Sequence, residues 1–214
     1  RQPNIKLPGV PVTAARITHK AIVMPDGVQL PLHTWSHSHS TEAIILALHG
    51  FNDYGAFIKN AANYFGNRGV KVYSYDQRGF GKSPHRGFWP GVDALGRDLV
   101  TTAMLLKDRH PGIPMYLLGH SMGGAVILSA LKGGNVPASE GVILVAPAVW
   151  GRETMPFYQR WLLEIGARIL PWLTLSGRGL GVKPSDNIEM LKALGRDPLI
   201  IKETRIDTLW GLVN

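Results

Sequence analysis

The apolar positions change period several times along the chain, and each change predicts an element. Two strand-like runs, residues 17–24 and 28–35, flank Pro25-Asp26-Gly27, where Asp-Gly supplies the positive φ of a hairpin turn. Residues Ala43–Leu48 form an unbroken apolar run ending at His49-Gly50, the pattern of a strand buried on both faces. The spacing then predicts a helix over 55–67, a strand over Val70–Tyr75, a helix over Val92–Arg109, a strand over 115–118, a helix over 122–131 and a strand over Gly141–Val145. In the second helix Val92, Leu95, Leu99, Ala103 and Leu106 recur at three and four residues, which draws one apolar stripe for packing against a sheet. Strands and helices alternating at these lengths require βαβ crossovers, so the expected class is α/β, a mostly parallel sheet flanked by helices.

After Val149 the pattern changes. Residues 150–214 carry four of the six tryptophans (Trp150, Trp161, Trp172 and Trp210), helix-compatible stretches near 155–170 and 185–195, and no convincing strand. The expectation is a helical cap over the sheet, with residues 1–149 as the N-terminal part of the core, 150–214 as the cap and a boundary near Ala148.

Composition narrows the picture. A chain of 214 residues with 45% hydrophobic and 18% charged positions is one α/β domain, or one domain with an insertion, and 25 Gly with 15 Pro imply many tight connections. The net charge of +8 is spread thinly, with no run of five basic residues, which argues against nucleic acid and leaves peripheral contact with an anionic membrane open. The absence of cysteine removes disulfides, thiolate metal sites and cysteine nucleophiles. No run of about 18 uncharged apolar residues predicts a membrane span. A chain opening at Arg1 is expected to have been processed or trimmed, so the compartment stays open between cytoplasmic and exported.

Gly119-His120-Ser121-Met122-Gly123 is the only G-x-S-x-G in the chain, and it sits between a predicted strand and a predicted helix. A serine in so tight a turn needs small neighbours, presents its hydroxyl outward, and aims the Met122 amide at a developing oxyanion near a helix N-terminus. His49-Gly50-Phe51-Asn52-Asp53 follows the buried strand, so the Phe51 amide is the candidate for a second donor, with Asn52 and Asp53 bracing the loop. Asp76-Gln77-Arg78-Gly79-Phe80-Gly81-Lys82-Ser83 is not a phosphate loop, because Pro84 prevents a helix from opening there; Asp76 and Arg78 are expected to pair with each other. His33, His37 and His39 are expected in a solvated turn rather than on a metal, and neither a metal nor a cofactor is called for.

These three motifs, in this order and spacing over about residues 17–214, resemble the α/β-hydrolase superfamily, and within it the monoacylglycerol lipase and lysophospholipase branch. The resemblance implies Ser121 as nucleophile, the amides of Phe51 and Met122 as the oxyanion hole, a mobile cap over an acyl pocket, and hydrolysis of lipid-like carboxylic esters. In that fold the order is serine, acid, histidine. All eight histidines lie at or before His120, and Asp186, Asp197 and Asp207 fall in cap-like sequence. His120 is expected to brace the turn and His49 to be structural. The expectation is therefore a chain that stops inside or just after the cap, about 60 to 80 residues short of two further βα units. A noncatalytic lipid- or partner-binding module, and a thioesterase or peptidase using the same serine, are the alternatives. The apolar run through Trp161, Leu162, Leu163, Ile165, Ile169, Leu170, Trp172 and Leu173 fits either an acyl-chain lining or the cap's own core.

Overall fold

The computed structural model describes residues 14–37, 40–134, 139–149, 151–176 and 185–214; His39 and Trp150 lie outside them. Strands β1 (Arg16–Ile17), β2 (Ala21–Val23), β3 (Gln29–Trp35), β4 (Ala43–Leu48), β5 (Val70–Tyr75), β6 (Met115–His120) and β7 (Gly141–Val145) form one sheet in the order β1-β2-β3-β5-β4-β6-β7. The pairs β5·β4, β4·β6 and β6·β7 are parallel, and β3 joins β5 antiparallel. Helices α1 (Lys59–Gly66), α2 (Val92–Arg109) and α3 (Met122–Lys132) are the crossovers between the parallel strands. This is the α/β class the periodicity predicts.

Burial explains the unbroken apolar text of β4. Ile44, Leu46 and Leu48 face one layer with Leu95, Leu99, Leu106 and Ile127 of α2 and α3, while Ile45 and Ala47 face Ile58, Ala62 and Val72 beside α1. Successive side chains alternate across a sheet covered on both faces, so every position must be apolar. At the edge, β7 pairs only with β6, and Val142, Ile143, Leu144 and Val145 keep 37–44% of their surface exposed.

Several local features differ from the sequence reading. The first strand is two, because Thr18 bends the chain by accepting the Lys20 and Ala21 N–H groups on its own Oγ1. The helix after β4 starts as a 3₁₀ turn, Gly55–Ile58, before α1. After Val149, helices α4 (Phe157–Ile169) and α5 (Ile188–Arg196) occupy the predicted stretches, but β8 (Thr174–Ser176) and β9 (Glu203–Arg205) pair antiparallel where no strand is expected, followed by an unforeseen helix α6 (Ile206–Val213). Three-residue strands are too short to show alternation, and α6 contains a glycine and β-branched residues that weaken its local signal. Gly211 of α6 is needed because a side chain there would run into the Trp89 ring. Glu164 of α4 binds Arg152 (2.7 Å), Arg168 (2.6 Å) and the Trp210 indole N–H of α6 (2.9 Å), which joins the two helices.

Asp76 and Arg78 do not pair with each other, contrary to the sequence expectation. Adjacent even positions in this turn diverge: Asp76 faces β3, and Arg78 reaches α2. The Arg78 guanidinium holds Asp98 through Nε (2.6 Å) and Nη2 (2.9 Å), and Asp26 of the first hairpin through Nη1 (2.6 Å) and Nη2 (3.0 Å). Although burial alone would lower its proton affinity, the two carboxylates raise it well above the ordinary arginine value. The Asp98 side chain is 3% exposed and that of Asp26 53%. Arg78→Met is therefore expected to cost about 3–5 kcal/mol, because it strands a buried carboxylate, whereas Asp26→Asn costs at most about 1 kcal/mol. Urea unfolding of the two variants at neutral pH measures the contrast.

Candidate active site

Strand β6 ends at His120 and α3 begins at Met122, so the chain reverses on the single residue Ser121, held at φ 50° and ψ −116°. That conformation is strained for a residue with a Cβ, by about 1–3 kcal/mol, and persists only where surroundings impose it. The Ser121 N–H donates to the Val145 carbonyl (3.0 Å), and the Ser121 carbonyl accepts from Gly124 (3.0 Å), Ala125 (3.3 Å) and Ala148 (2.9 Å). A side chain at Gly119 would lie 2.6 Å from the Gly124 backbone, and one at Gly123 would collide with the Leu48 carbonyl. The two glycines thus let α3 start directly against the ends of β6 and β4.

The loop after β4 passes against this turn: a Cβ on Gly50 would lie 3.3 Å from Ser121 Cβ and 3.0 Å from His120 Nδ1. Buried His49 organises the loop. Its Nδ1 donates to the Gly50 carbonyl (2.7 Å), and its Nε2 accepts the Gln77 N–H (3.0 Å), while the Gln77 side chain donates to the His49 carbonyl (2.9 Å). Gly50 C=O and Phe51 N–H belong to one planar peptide. A hold on the carbonyl therefore also constrains the opposite direction of the N–H. The Phe51 ring packs edge-on to Phe80 (5.6 Å between centroids) and tilted to Trp89 (6.5 Å), which secures the residue from the other side. Met122 stands at the first position of α3, where the amide has no intrahelical acceptor. The structure therefore brings Ser121, Phe51 and Met122 together.

The resident histidines are otherwise occupied. Burial, the largest influence on His49, depresses it to about 4, so the ring is neutral and both its nitrogens are committed. His120 stacks on Phe57 (5.9 Å between centroids), and its Nδ1 is buried without a hydrogen-bond partner among the described residues. No described imidazole bonds to Ser121 Oγ. His33, expected in a solvated turn, instead sits in β3 with Nε2 2.8 Å from Asp76 Oδ1, a partner 43 positions away. His37 bonds to Asn63 (3.1 Å). Burial tends to raise Asp76, but His33 and the N–H groups of Lys82 (2.8 Å) and Gly55 (2.9 Å) outweigh it and hold the carboxyl below the usual range.

Asn52 and Asp53 bind within and beyond the loop. Asp53 accepts the Tyr54 N–H (2.8 Å), and burial raises its carboxyl. Asn52 reaches Thr204, and the Tyr54 hydroxyl donates to Asp197 (2.8 Å). These cross-chain contacts carry no local sequence signal. Asp207 is taken by Arg205 (2.6 Å). A groove of about 900 Å³ between α2 and α3, lined by Arg78, Met104 and Lys132 among others, excludes Ser121.

The family described as serine aminopeptidase, S33 (Hydrolase_4), matches residues 39–214. The chain is 27% identical over 184 residues to the monoglyceride lipase of Homo sapiens, covering 85% of this chain and 60% of that protein. It is 23% identical over 185 residues to the monoacylglycerol lipase of Mycolicibacterium smegmatis, covering 86% and 61%. Among solved structures, a soluble variant of the Saccharomyces cerevisiae monoglyceride lipase in complex with a substrate analog superposes with a TM-score of 0.68 at 20% identity, over 99% of this chain and 70% of that one. The Paleococcus ferrophilus monoacylglycerol lipase gives 0.65 at 22%, over 86% and 68%. The chain thus has the α/β-hydrolase fold, and it spans about 60% of the length of these curated relatives.

His49 sets a pH dependence. Its folded value of about 4 lies below the ordinary 6.5, so the unfolded chain takes up the proton first and stability falls as pH drops from about 6.5 to 4. The loss attributable to this ring is about 3 kcal/mol. Denaturant titrations across that window should show the slope, and a folded His49→Gln variant should show a flatter one.

Proposed function

The chain belongs to the serine aminopeptidase S33 family of hydrolases, and from that membership and the geometry at Ser121 we propose that the protein hydrolyses lipid-like carboxylic esters, monoacylglycerols or lysophospholipids, through an acyl-enzyme on Ser121. The observation that carries this reading is the strained, partly exposed serine at φ 50° with Gly50 packed against it. Ser121 Oγ attacks the acyl carbon, and the carbonyl oxygen becomes an oxyanion facing the amides of Phe51 and Met122. Collapse of this intermediate expels the alcohol with a proton and leaves the acyl group on Oγ; water then attacks the same carbon and releases the fatty acid. The base that takes the hydroxyl proton is none of the described imidazoles.

The segment after Val149 favours a lipid over a peptide. In α4, Phe157, Trp161, Leu162 and Ile169 are 63–70% exposed, with Trp172 at 62%. Exposure on this scale supports the acyl-chain lining over a packed core of the cap's own. An apolar face this large is suited to acyl chains, and residues 150–214 serve as the cap. Together with the net charge of +8, the same face suits an anionic bilayer. Among the described residues no helix is long and apolar enough to cross a membrane.

In the protein as the cell makes it, Ser121→Ala should abolish hydrolysis of p-nitrophenyl acyl esters and labelling by a fluorophosphonate; full turnover in that variant would refute the assignment. The 214 residues alone should turn over at least about 100-fold more slowly, because among the described residues no imidazole bonds to Ser121. Sedimentation with phosphatidylglycerol vesicles should exceed that with phosphatidylcholine, and Trp161→Asp should weaken it about tenfold.

A further inference from the structure

Three hydrogen bonds fasten the loop after β4 to residues 197–204, on the far side of the chain. Asn52 Nδ2 donates to Thr204 Oγ1 (2.6 Å), Ile201 N–H donates to the Asn52 carbonyl (3.0 Å), and the Tyr54 hydroxyl donates to Asp197 Oδ2 (2.8 Å). Asn52 itself holds φ 64°, a left-handed conformation that asparagine tolerates better than most residues. Thr204 is buried, at 7% exposure, and Asn52 Oδ1 is buried without a partner, so the bond to Thr204 is the one side-chain hydrogen bond of that amide among the described residues. Asp197 also accepts the Leu199 N–H (2.8 Å), which turns the segment toward the loop. The same stretch of chain is anchored a second time, by Arg86 to the Pro198 carbonyl (2.6 Å) and by Thr208 to the Gly87 carbonyl (2.7 Å).

The consequence concerns the residue next to Asn52. His49 holds one end of the Gly50-Phe51 peptide, through the Gly50 carbonyl, and the clamp at Asn52 holds the chain immediately beyond Phe51. A single hydrogen bond on the Gly50 carbonyl holds one point of that plane and still lets it pivot about the ψ of Gly50 and the φ of Phe51. With the Asn52 clamp released, the chain beyond Phe51 is free to shift, and the Gly50-Phe51 plane with its amide pivots with it. A donor aimed at an oxyanion contributes only when it is aligned before the reaction, so small misplacements are costly in rate.

We propose that Asn52 and Thr204 are positioning residues of the ester hydrolysis: the 197–204 segment clamps the loop after β4, and the Phe51 amide is aimed at the oxyanion only while that segment is docked. This rests on Ser121 being the nucleophile. The clamp makes the segment after α5 part of the catalytic apparatus without contact to the reacting atoms, and it couples any displacement of that segment to turnover.

The test compares Thr204→Val, Thr204→Ser and Asn52→Gly with wild type in the full protein, with p-nitrophenyl butyrate as substrate and a trifluoromethyl ketone as transition-state mimic. Thr204→Val conserves volume and removes the acceptor, and Asn52→Gly keeps the left-handed backbone while removing the amide. Both should lower kcat about 10- to 100-fold with little change in KM, and should weaken the ketone by a similar factor. Thr204→Ser, which keeps the hydroxyl, should restore both. Hydrogen exchange at residues 51–54 should quicken in the valine variant. An active wild type whose folded valine variant keeps kcat and ketone affinity overturns the clamp alone, as does a rise in KM at constant kcat. A wild type that neither turns over ester nor labels at Ser121 overturns the nucleophile assignment, and the positioning role with it.

Discussion

The close approach of the β6–α3 turn to the end of β4 is the constraint from which the rest of the site follows. The backbone at Gly123 lies so near the Leu48 carbonyl, and that at Gly119 so near Gly124, that neither position admits a side chain. Absence of two methyl groups lets the helix begin one residue after the strand ends, which leaves Ser121 alone to make the reversal, at φ 50°. The strain is held by the parallel ladder on both sides of β6 and by the bond from Ser121 to Val145 on the next strand. A serine placed this way stands at the C-terminal end of the sheet, beside the loop that leaves the neighbouring strand.

Around that turn the loops are held by buried polar groups rather than by apolar packing alone. His49, Gln77, Asp76 and Ser83 are nearly inaccessible to solvent, and each bonds loop backbone: His49 holds Gly50 and Gln77, Gln77 holds His49, Asp76 holds Gly55 and Lys82 besides the His33 ring, and Ser83 holds Gln77 and Phe80. A buried polar group left unpaired is expensive, and a fully paired one specifies a single loop conformation. This is why residues with catalytic potential, the imidazole of His49 and the carboxylate of Asp76, act here as scaffold. Both nitrogens of His49 are committed to backbone, and Asp76 is shared between two backbone N–H groups and His33.

The segment after Val149 combines two kinds of contact. Its final third, from Asp197 through α6, is joined to the loops after β4 and β5 by hydrogen bonds and by the stacking of Arg205 over Phe88 at 4.4 Å. Helices α4 and α5 stand away from the sheet, with Trp161, Leu162 and Ile188 at least half exposed. One part is thus fastened to the loops of the candidate site, and the other leaves apolar surface exposed. That division fits the proposed ester hydrolysis, which calls for both an apolar lining and an aligned amide.

Local periodicity determined much of this protein from the sequence alone. The both-face burial of β4, the apolar stripe of α2, the parallel crossovers and the strand-turn-helix context of Ser121 depend on residues within a few positions of one another, so the chain states them directly. The pairing of Asp76 with His33, the grip of Arg78 on Asp26 and Asp98, and the bond between Asn52 and Thr204, 152 positions apart, were decided only by the tertiary structure. A charged or amide side chain can satisfy itself on many partners, and nothing in its immediate neighbours selects one. The selection is made when the sheet closes, because only then does one donor or acceptor lie within reach and water does not.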